Sequence, residues 1–136
     1  MTEPIRVFLC DDVPELRTLL RFALEEDPGV RVVGEAGDAS SGVERVTELQ
    51  PDVVLLDLSM PGLDGLEAIP LLQDAAPGIG IIVFSGFAAD RMRGPALALG
   101  ADRYLEKGEP LEVIRQTVRE VATKRPRGDG DALAAG

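Results

Sequence analysis

Short apolar runs alternate with amphipathic stretches five times along the chain, and this alternation limits the fold more than any other feature of the sequence. The apolar runs have the length of strands, whereas the stretches between them repeat leucine, isoleucine or valine at helical spacing. The first predicted helix begins near Pro14, a residue type favoured in the first helical turn. The predicted strands are residues 5–9, 30–33, 53–56, 79–84 and 103–105. The pattern predicts five successive βα units.

Two of the predicted strands, VVLL (53–56) and IIVF (81–84), are apolar on both faces. Such strands are typical of a parallel sheet that helices cover on each side. The predicted fold is therefore a flavodoxin-like, doubly wound α/β sandwich, (βα)5, with a five-stranded parallel sheet of order 2-1-3-4-5. In that order strands 1 and 3 are neighbours whose connections leave in opposite directions, so a crevice opens beyond their carboxyl ends.

Length and composition favour one domain. The 136 residues suit a single domain, and the βα pattern occupies residues 4–124. Residues 125–136 (RPRGDGDALAAG) combine proline, glycine and charge without an apolar face, which predicts a flexible tail or the start of a linker. Because the sequence shows neither a signal-peptide pattern nor an apolar run long enough to span a membrane, we expect a cytoplasmic protein with no membrane partner.

Charge and composition exclude several functions. A formal net charge of −10 disfavours direct binding of nucleic acid by this segment. Histidine is absent and Cys10 is the only cysteine, which excludes a histidine base, a Ser-His or Cys-His pair, a cysteine zinc cluster and an intramolecular disulfide. We expect Cys10, within the first strand, to be a core residue.

Three aspartates follow strands that should meet at the crevice. Asp11 and Asp12 end strand 1, and Asp57 ends strand 3. Like charges about 4 Å apart cost roughly 4 kcal/mol at an effective dielectric near 20, so the cluster must hold protons or bind a cation. A set of oxygen ligands without histidine or cysteine favours Mg²⁺. Each aspartate alone could simply terminate its strand, but three that converge favour a metal site.

Two further polar residues are predicted at the same end of the sheet. Lys107 follows strand 5 and is one of only two lysines in an arginine-rich chain, and a compact ammonium suits contact with a phosphoryl oxygen or a carboxylate. Ser85 ends strand 4 and adds a hydroxyl there, beside Gly86. The alternative interpretations are a solvated surface lysine and a serine that only forms a turn.

Four segments, FLCDD, LLDLSMPGLDG, IIVFSG and YLEKG, occur in this order at the predicted strand ends. Together they resemble the receiver domain of bacterial two-component response regulators, over roughly residues 5–124. The segments VVGEAGDASSGVE and LALGADRYLEKG look most like the branch that continues into a helix-turn-helix DNA-binding domain.

The resemblance implies a chemistry for the acidic residues. Asp57 would be the phosphoacceptor, taking a phosphoryl group from a phosphohistidine of a sensor histidine kinase. Asp12, Asp57 and the backbone carbonyl of Ser59 would hold Mg²⁺, with Asp11 acting in the same pocket, partly through water. The metal would offset the charge that repels the incoming phosphoryl group. The resemblance implies a phosphoacceptor rather than an enzyme, although self-catalysed transfer and autodephosphorylation belong to this chemistry.

The resemblance also implies a switch. Lys107 and Ser85 would contact phosphoryl oxygens, Ser85 would move inward, and Tyr104 would occupy the aromatic position that rotates inward in the family, although core packing is its other interpretation. The output would be a shifted equilibrium on the face of helix 4, strand 5 and helix 5, and homodimerisation on phosphorylation is one expected form of it.

The sequence departs from the family pattern at several positions. Serine replaces the commoner threonine at Ser85, and Gly108 stands where many members have proline. Gly94 and Pro95 fall inside the predicted fourth helix and Pro70 inside the third, so we expect bends there.

Other functional classes fit the residues less well. Phosphatases similar to haloacid dehalogenases need a second aspartate two residues after the first, where this chain has Ser59. Nucleotide-binding modules need G-x-G-x-x-G or G-x-x-x-x-G-K-[ST], and neither occurs. A pseudo-receiver that is never phosphorylated stays open. Among receivers, a stand-alone relay or partner-binding protein and a fragment of a transcriptional regulator both fit, and the resemblance favours the fragment.

Overall fold

Five parallel strands form one sheet in the order β2-β1-β3-β4-β5, which confirms the predicted topology and fold class. The computed structural model describes residues 3–60, 65–86 and 89–124, with the backbone alone at 89, 90 and 124. The elements are β1 (Ile5–Cys10), α1 (Pro14–Glu25), β2 (Val30–Ala36), α2 (Ala39–Leu49), β3 (Val53–Leu56), α3 (Gly65–Ala75), β4 (Gly80–Ser85), α4 (Ala89–Ala98), β5 (Arg103–Glu106) and α5 (Leu111–Lys124). The predicted tail, 125–136, lies outside the described residues.

The sheet separates two apolar cores. Successive side chains of a strand point to opposite faces, so each central strand contributes to both cores. In β3, Val54 and Leu56 pack in the core with α2, α3 and α4, whereas Val53 and Leu55 pack in the core with α1 and α5. This arrangement explains why VVLL is apolar throughout. Cys10 is buried in the first of these cores, as expected.

The observed strand bounds differ from the predicted ones by one residue at each end at most, except at β2. β2 continues three residues beyond its predicted end at 33. Gly34 has no side chain, so the ring of Phe8 packs against it, and the pairing register between β1 and β2 shifts at this point. α2 begins at Ala39, because the Asp38 side chain accepts a hydrogen bond from the Ser41 amide and caps the helix.

The helices α3 and α4 each run through a proline. Pro70 lies inside α3 and Pro95 inside α4, and both side chains are exposed, so neither ring enters the core. A bend at these prolines stays a prediction.

At Val32, on the outer edge of β2, the main-chain groups bond to side chains of α1. The Val32 amide donates to Oε2 of Glu25 at 2.9 Å, and Arg21 donates to the Val32 carbonyl at 3.2 Å. The main-chain groups of this edge residue are therefore satisfied without a further strand.

Across the described part of the chain, none of the helices combines the length and apolar character needed to cross a bilayer.

Gly65 begins α3 against the backbone of Leu58. A Cβ at Gly65 would lie within 3.0 Å of Leu58 backbone atoms, which cannot turn aside as a side chain would. Gly65→Ala should therefore lower the free energy of unfolding by about 1–3 kcal/mol, as overpacked sites do, in a urea titration. Gly108→Ala is the matched control, since a Cβ there meets nothing within 4 Å, and its change should stay within about 0.5 kcal/mol. Equal effects of the two substitutions would show that the Leu58 backbone does not exclude a side chain at Gly65.

Cys10 is predicted to be chemically inert in the folded protein. Its side chain is 1% exposed and its Sγ lies 3.7 Å from Sδ of Met60. Burial, followed by the charge of Asp38, raises the pKa of the Cys10 thiol to about 12. Because the thiolate is the reactive form, iodoacetamide at about pH 8 should leave the folded protein unmodified and add one adduct in urea, as measured by intact mass. Rapid labelling of the folded protein would contradict the prediction.

The same raised pKa has a consequence for stability. The folded state disfavours the thiolate, whereas the unfolded chain forms it freely above about pH 9. With respect to Cys10, the free energy of unfolding therefore keeps its full value below about pH 9 and falls as the pH rises toward 12.

Candidate functional site

The carboxyl ends of four strands bring the predicted site residues together. The hydrogen bonds of the sheet continue one residue past the strands: Asp11 N–H donates to Ala36 O at 3.0 Å, and Asp57 N–H donates to Cys10 O at 2.9 Å. On the other side, Lys107 N–H donates to Ser85 O at 2.9 Å. The backbones of these site residues are therefore held as firmly as the sheet itself.

The acidic cluster forms as the sequence predicts. Asp11, Asp12 and Asp57 each offer a carboxylate oxygen, and these oxygens lie within 4.8 Å of one another. Asp11 is 3% and Asp57 1% exposed, whereas Asp12 is exposed. Burial weakens the screening by water, so repulsion between the Asp11 and Asp57 carboxylates must be balanced by nearby cations.

Lys107 supplies one of those cations. Its Nζ donates a hydrogen bond to Asp57 Oδ2 at 3.3 Å and lies 3.0 Å from Asp11 Oδ2, a contact that lacks hydrogen-bond alignment and is best described as an ion pair. Burial alone would lower the pKa of Lys107, but the Asp11 and Asp57 carboxylates outweigh it and raise that pKa. The lysine therefore stays charged, yet one ammonium cannot neutralise three carboxylates.

Ser59 contributes more than the sequence indicates. Its backbone N–H and its hydroxyl both donate to Asp57 Oδ1, at 2.9 and 2.8 Å. The resemblance implies a role only for its carbonyl, as a metal ligand. The Asp-x-Ser spacing, which favours a local side-chain turn, is the signal that could have revealed the two donors. Together they orient the Asp57 carboxylate.

The residues present fit a hard divalent cation. Asp11 Oδ2 is buried and, apart from its ion pair with Lys107, has no hydrogen-bond partner among the described residues, so it retains lone pairs for a ligand. Three carboxylates with one lysine leave an excess of negative charge, and all candidate ligands are oxygens. This donor set suits a hard divalent cation such as Mg²⁺.

The two predicted switch residues are both buried. Ser85 is fully buried at the end of β4. Tyr104 is 4% exposed and packs in the core beneath α2, α3 and α4, and its hydroxyl finds no hydrogen-bond partner among the residues described. Both of its predicted interpretations fit this inward position, because core packing and an inward rotamer coincide here.

An open cavity of about 420 Å³ lies beside Lys107. Gly86, Glu106, Gly108 and Glu109 line it together with the lysine.

Comparison with known proteins identifies the family. Residues 7–119 match the response regulator receiver domain family. The nitrate/nitrite response regulator protein NarL of Escherichia coli strain K12 is 40% identical over 114 residues, 83% of this chain and 53% of that protein. The transcriptional regulatory protein LiaR of Bacillus subtilis strain 168 is 38% identical over 123 residues, 90% of this chain and 58% of that protein. The chain spans about half the length of these curated relatives.

The fold agrees with the sequence match. The crystal structure of the response regulator domain of Thermotoga maritima CheB superposes with a TM-score of 0.82 at 29% identity, covering 89% of this chain and 98% of that one. Receiver domains are in general not enzymes. Sequence, strand order and the acidic cluster agree, and the chain belongs to the response regulator receiver family of two-component systems.

Proposed function

We propose that Asp57 accepts a phosphoryl group from a sensor histidine kinase in a Mg²⁺-dependent reaction. The observation that carries this proposal is the Asp57 carboxylate, which is 1% exposed, oriented by Ser59 and placed against both Lys107 and Asp11. Response regulator receivers are substrates of such kinases, which supports the choice of donor. Transfer joins an Asp57 oxygen to phosphorus as the phosphorus–nitrogen bond of the donor phosphohistidine breaks.

The residues around Asp57 have separate roles in this proposal. Asp11, Asp12, Asp57 and the backbone carbonyl of Ser59 hold the metal. When bound, Mg²⁺ neutralises charge on the acidic residues and on the incoming phosphoryl oxygens. Ser59 keeps the nucleophile in one orientation, so less freedom is lost on the way to the transition state.

Lys107 changes its partner in the reaction. Its ammonium now contacts Asp57 Oδ2, and that oxygen loses its full charge when the acyl phosphate forms. The phosphoryl oxygens then carry the negative charge with which Lys107 pairs. The hydroxyl of Ser85, at the end of β4, contacts the same phosphoryl oxygens. Catalysis by these residues is electrostatic and positional, since phosphoryl transfer needs little covalent help from the protein.

The conformational output is assigned to α4, β5 and α5. Lys107 directly follows β5, and Tyr104 lies within it. Movement of Ser85 toward the phosphoryl group changes the space beside Tyr104, which lies inward and whose hydroxyl has no hydrogen-bond partner in the described part of the chain. Phosphorylation then biases a two-state equilibrium of this face.

The proposed output of the whole protein is control of transcription, acting in the cytoplasm. LiaR, a transcriptional regulatory protein, matches this chain over 58% of its own length. A net charge of −10 makes direct nucleic acid binding by this segment unfavourable, so the DNA-binding unit would lie outside residues 1–136. A coding sequence that stops directly after Gly136 would favour the alternative, a stand-alone receiver or relay protein.

Acetyl phosphate should phosphorylate the protein once. Incubated with acetyl phosphate and Mg²⁺, the wild type should gain the mass of a single phosphoryl group, because the metal offsets the repulsion between the anionic donor and the acidic cluster. Intact mass spectrometry gives the measurement. With EDTA, or with Asp57→Asn, the adduct should be absent. An unmodified wild type with Mg²⁺ would favour the pseudo-receiver, and an adduct on Asp57→Asn would assign another phosphoacceptor.

Phosphorylation should also change the association of the protein. If the α4–β5–α5 face forms a homodimer, light scattering of the phosphorylated wild type should show twice the monomer mass, with Asp57→Asn as the unphosphorylated control. A monomer mass in both samples would reject dimerisation of residues 1–136.

A further inference from the structure

Arg17 of α1 connects the acidic site to the end of β2. Its guanidinium donates one hydrogen bond to the backbone carbonyl of Asp11 and another from Nε to Oε1 of Glu35, at 2.7 Å. The Arg17 side chain is only 17% exposed. A planar guanidinium suits this role because it can hold two acceptors in one fixed geometry.

The carbonyl that Arg17 holds belongs to the peptide bond between Asp11 and Asp12. The Asp11 amide is already fixed by Ala36 O at 3.0 Å, and the Asp11 side chain accepts from Val13 N–H at 2.9 Å. Arg17 adds the constraint that orients the next peptide plane. The direction in which the Asp12 side chain projects from the backbone depends on the orientation of that peptide plane.

The carboxylate of Asp12 has no other support among the described residues. It is exposed and makes no hydrogen bond or ion pair there, although its oxygen lies within 4.8 Å of those of Asp11 and Asp57. Asp11 and Asp57, by contrast, are buried and tied to neighbours. The position of the Asp12 carboxylate therefore follows from its backbone.

Glu35 holds Arg17 in place and offsets its charge. Glu35 also pairs with Arg21 at 2.6 Å, and hydrogen bonds from Arg21 and then Arg17 lower the pKa of the Glu35 carboxyl despite its partial burial. The glutamate thus remains ionised at neutral pH. Arg21 itself donates to the Val32 carbonyl and not to Asp11.

We propose that Arg17, held by Glu35, is a positioning residue that orients the Asp11–Asp12 peptide and thereby places the Asp12 carboxylate for binding a divalent metal ion. This inference rests on the proposed function of the site. It assigns no contact between Arg17 and the metal.

Positioning and simple electrostatics predict opposite results. A guanidinium near a cation site repels the cation, so by Coulomb's law alone its removal should strengthen Mg²⁺ binding. If Arg17 acts through the peptide plane, its removal should weaken binding even though a positive charge is lost. Loss of a group that supports a metal ligand commonly costs about tenfold or more in affinity.

The test is a titration of the whole chain with MgCl₂, followed by backbone amide chemical shifts. Arg17→Met should bind Mg²⁺ about tenfold more weakly than the wild type, with shifted Asp11 and Asp12 amide signals before any metal is added. Arg21→Met is the matched control, because it also removes a cation from Glu35 but leaves the Asp11 carbonyl bonded. Its Mg²⁺ affinity should stay within about twofold of the wild type.

A second substitution keeps the test decisive if Arg17→Met loses the dispersed amide spectrum of a folded chain. Arg17→Lys preserves the charge, but its single ammonium cannot span both acceptors as the guanidinium does, so binding should again weaken. Unchanged or tighter binding in the folded Arg17 variants would overturn the inference, as would an equal loss in Arg21→Met. A wild type that fails to bind Mg²⁺ would instead overturn the proposed metal site, and the inference with it.

Discussion

Repulsion between two buried carboxylates is the constraint on which the rest of the structure depends. Asp11 and Asp57 follow adjacent strands, and the hydrogen bonds of the sheet hold their backbones where the charges cannot separate. Lys107 follows β5 in the same parallel sheet, and from there its ammonium pairs with both carboxylates. The strand order therefore brings a cation to the two buried charges. A protein that accepts a negatively charged group at such a site needs cations nearby, either its own side chains or bound metal ions. These cations offset the repulsion between the carboxylates and the incoming group.

Much of this arrangement is predictable from the sequence, for specific reasons. Strands such as VVLL are apolar on both faces because two cores use alternate residues, so their pattern indicates a sheet between helix layers. Once the strand order follows from that fold class, aspartates directly after strands 1 and 3 must converge. Lys107 also stands out, because it is one of only two lysines in an arginine-rich chain and directly follows a strand.

Features that depend on tertiary approach were not predictable in the same way. The contact between Arg17 and Glu35 joins α1 to β2 across 18 residues, and no spacing rule connects such positions. The extension of β2 depends on the fit of the Phe8 ring over Gly34, which is a matter of shape rather than hydropathy. The hydroxyl of Ser59 lies between these cases, since its spacing from Asp57 permits a local hydrogen bond but does not require one.

The α1 side chains that bond to Val32 of β2 affect how the folded protein behaves toward other copies of itself. A sheet made of continuous apolar strands is an efficient template for aggregation if an edge residue presents free main-chain groups. At Val32 those groups already bond to the side chains of Glu25 and Arg21. A strand from another molecule would have to break these hydrogen bonds before it could form its own with the backbone of Val32. The helix that borders the acidic site thus disfavours the pairing of a strand from another copy of the chain with β2 at Val32.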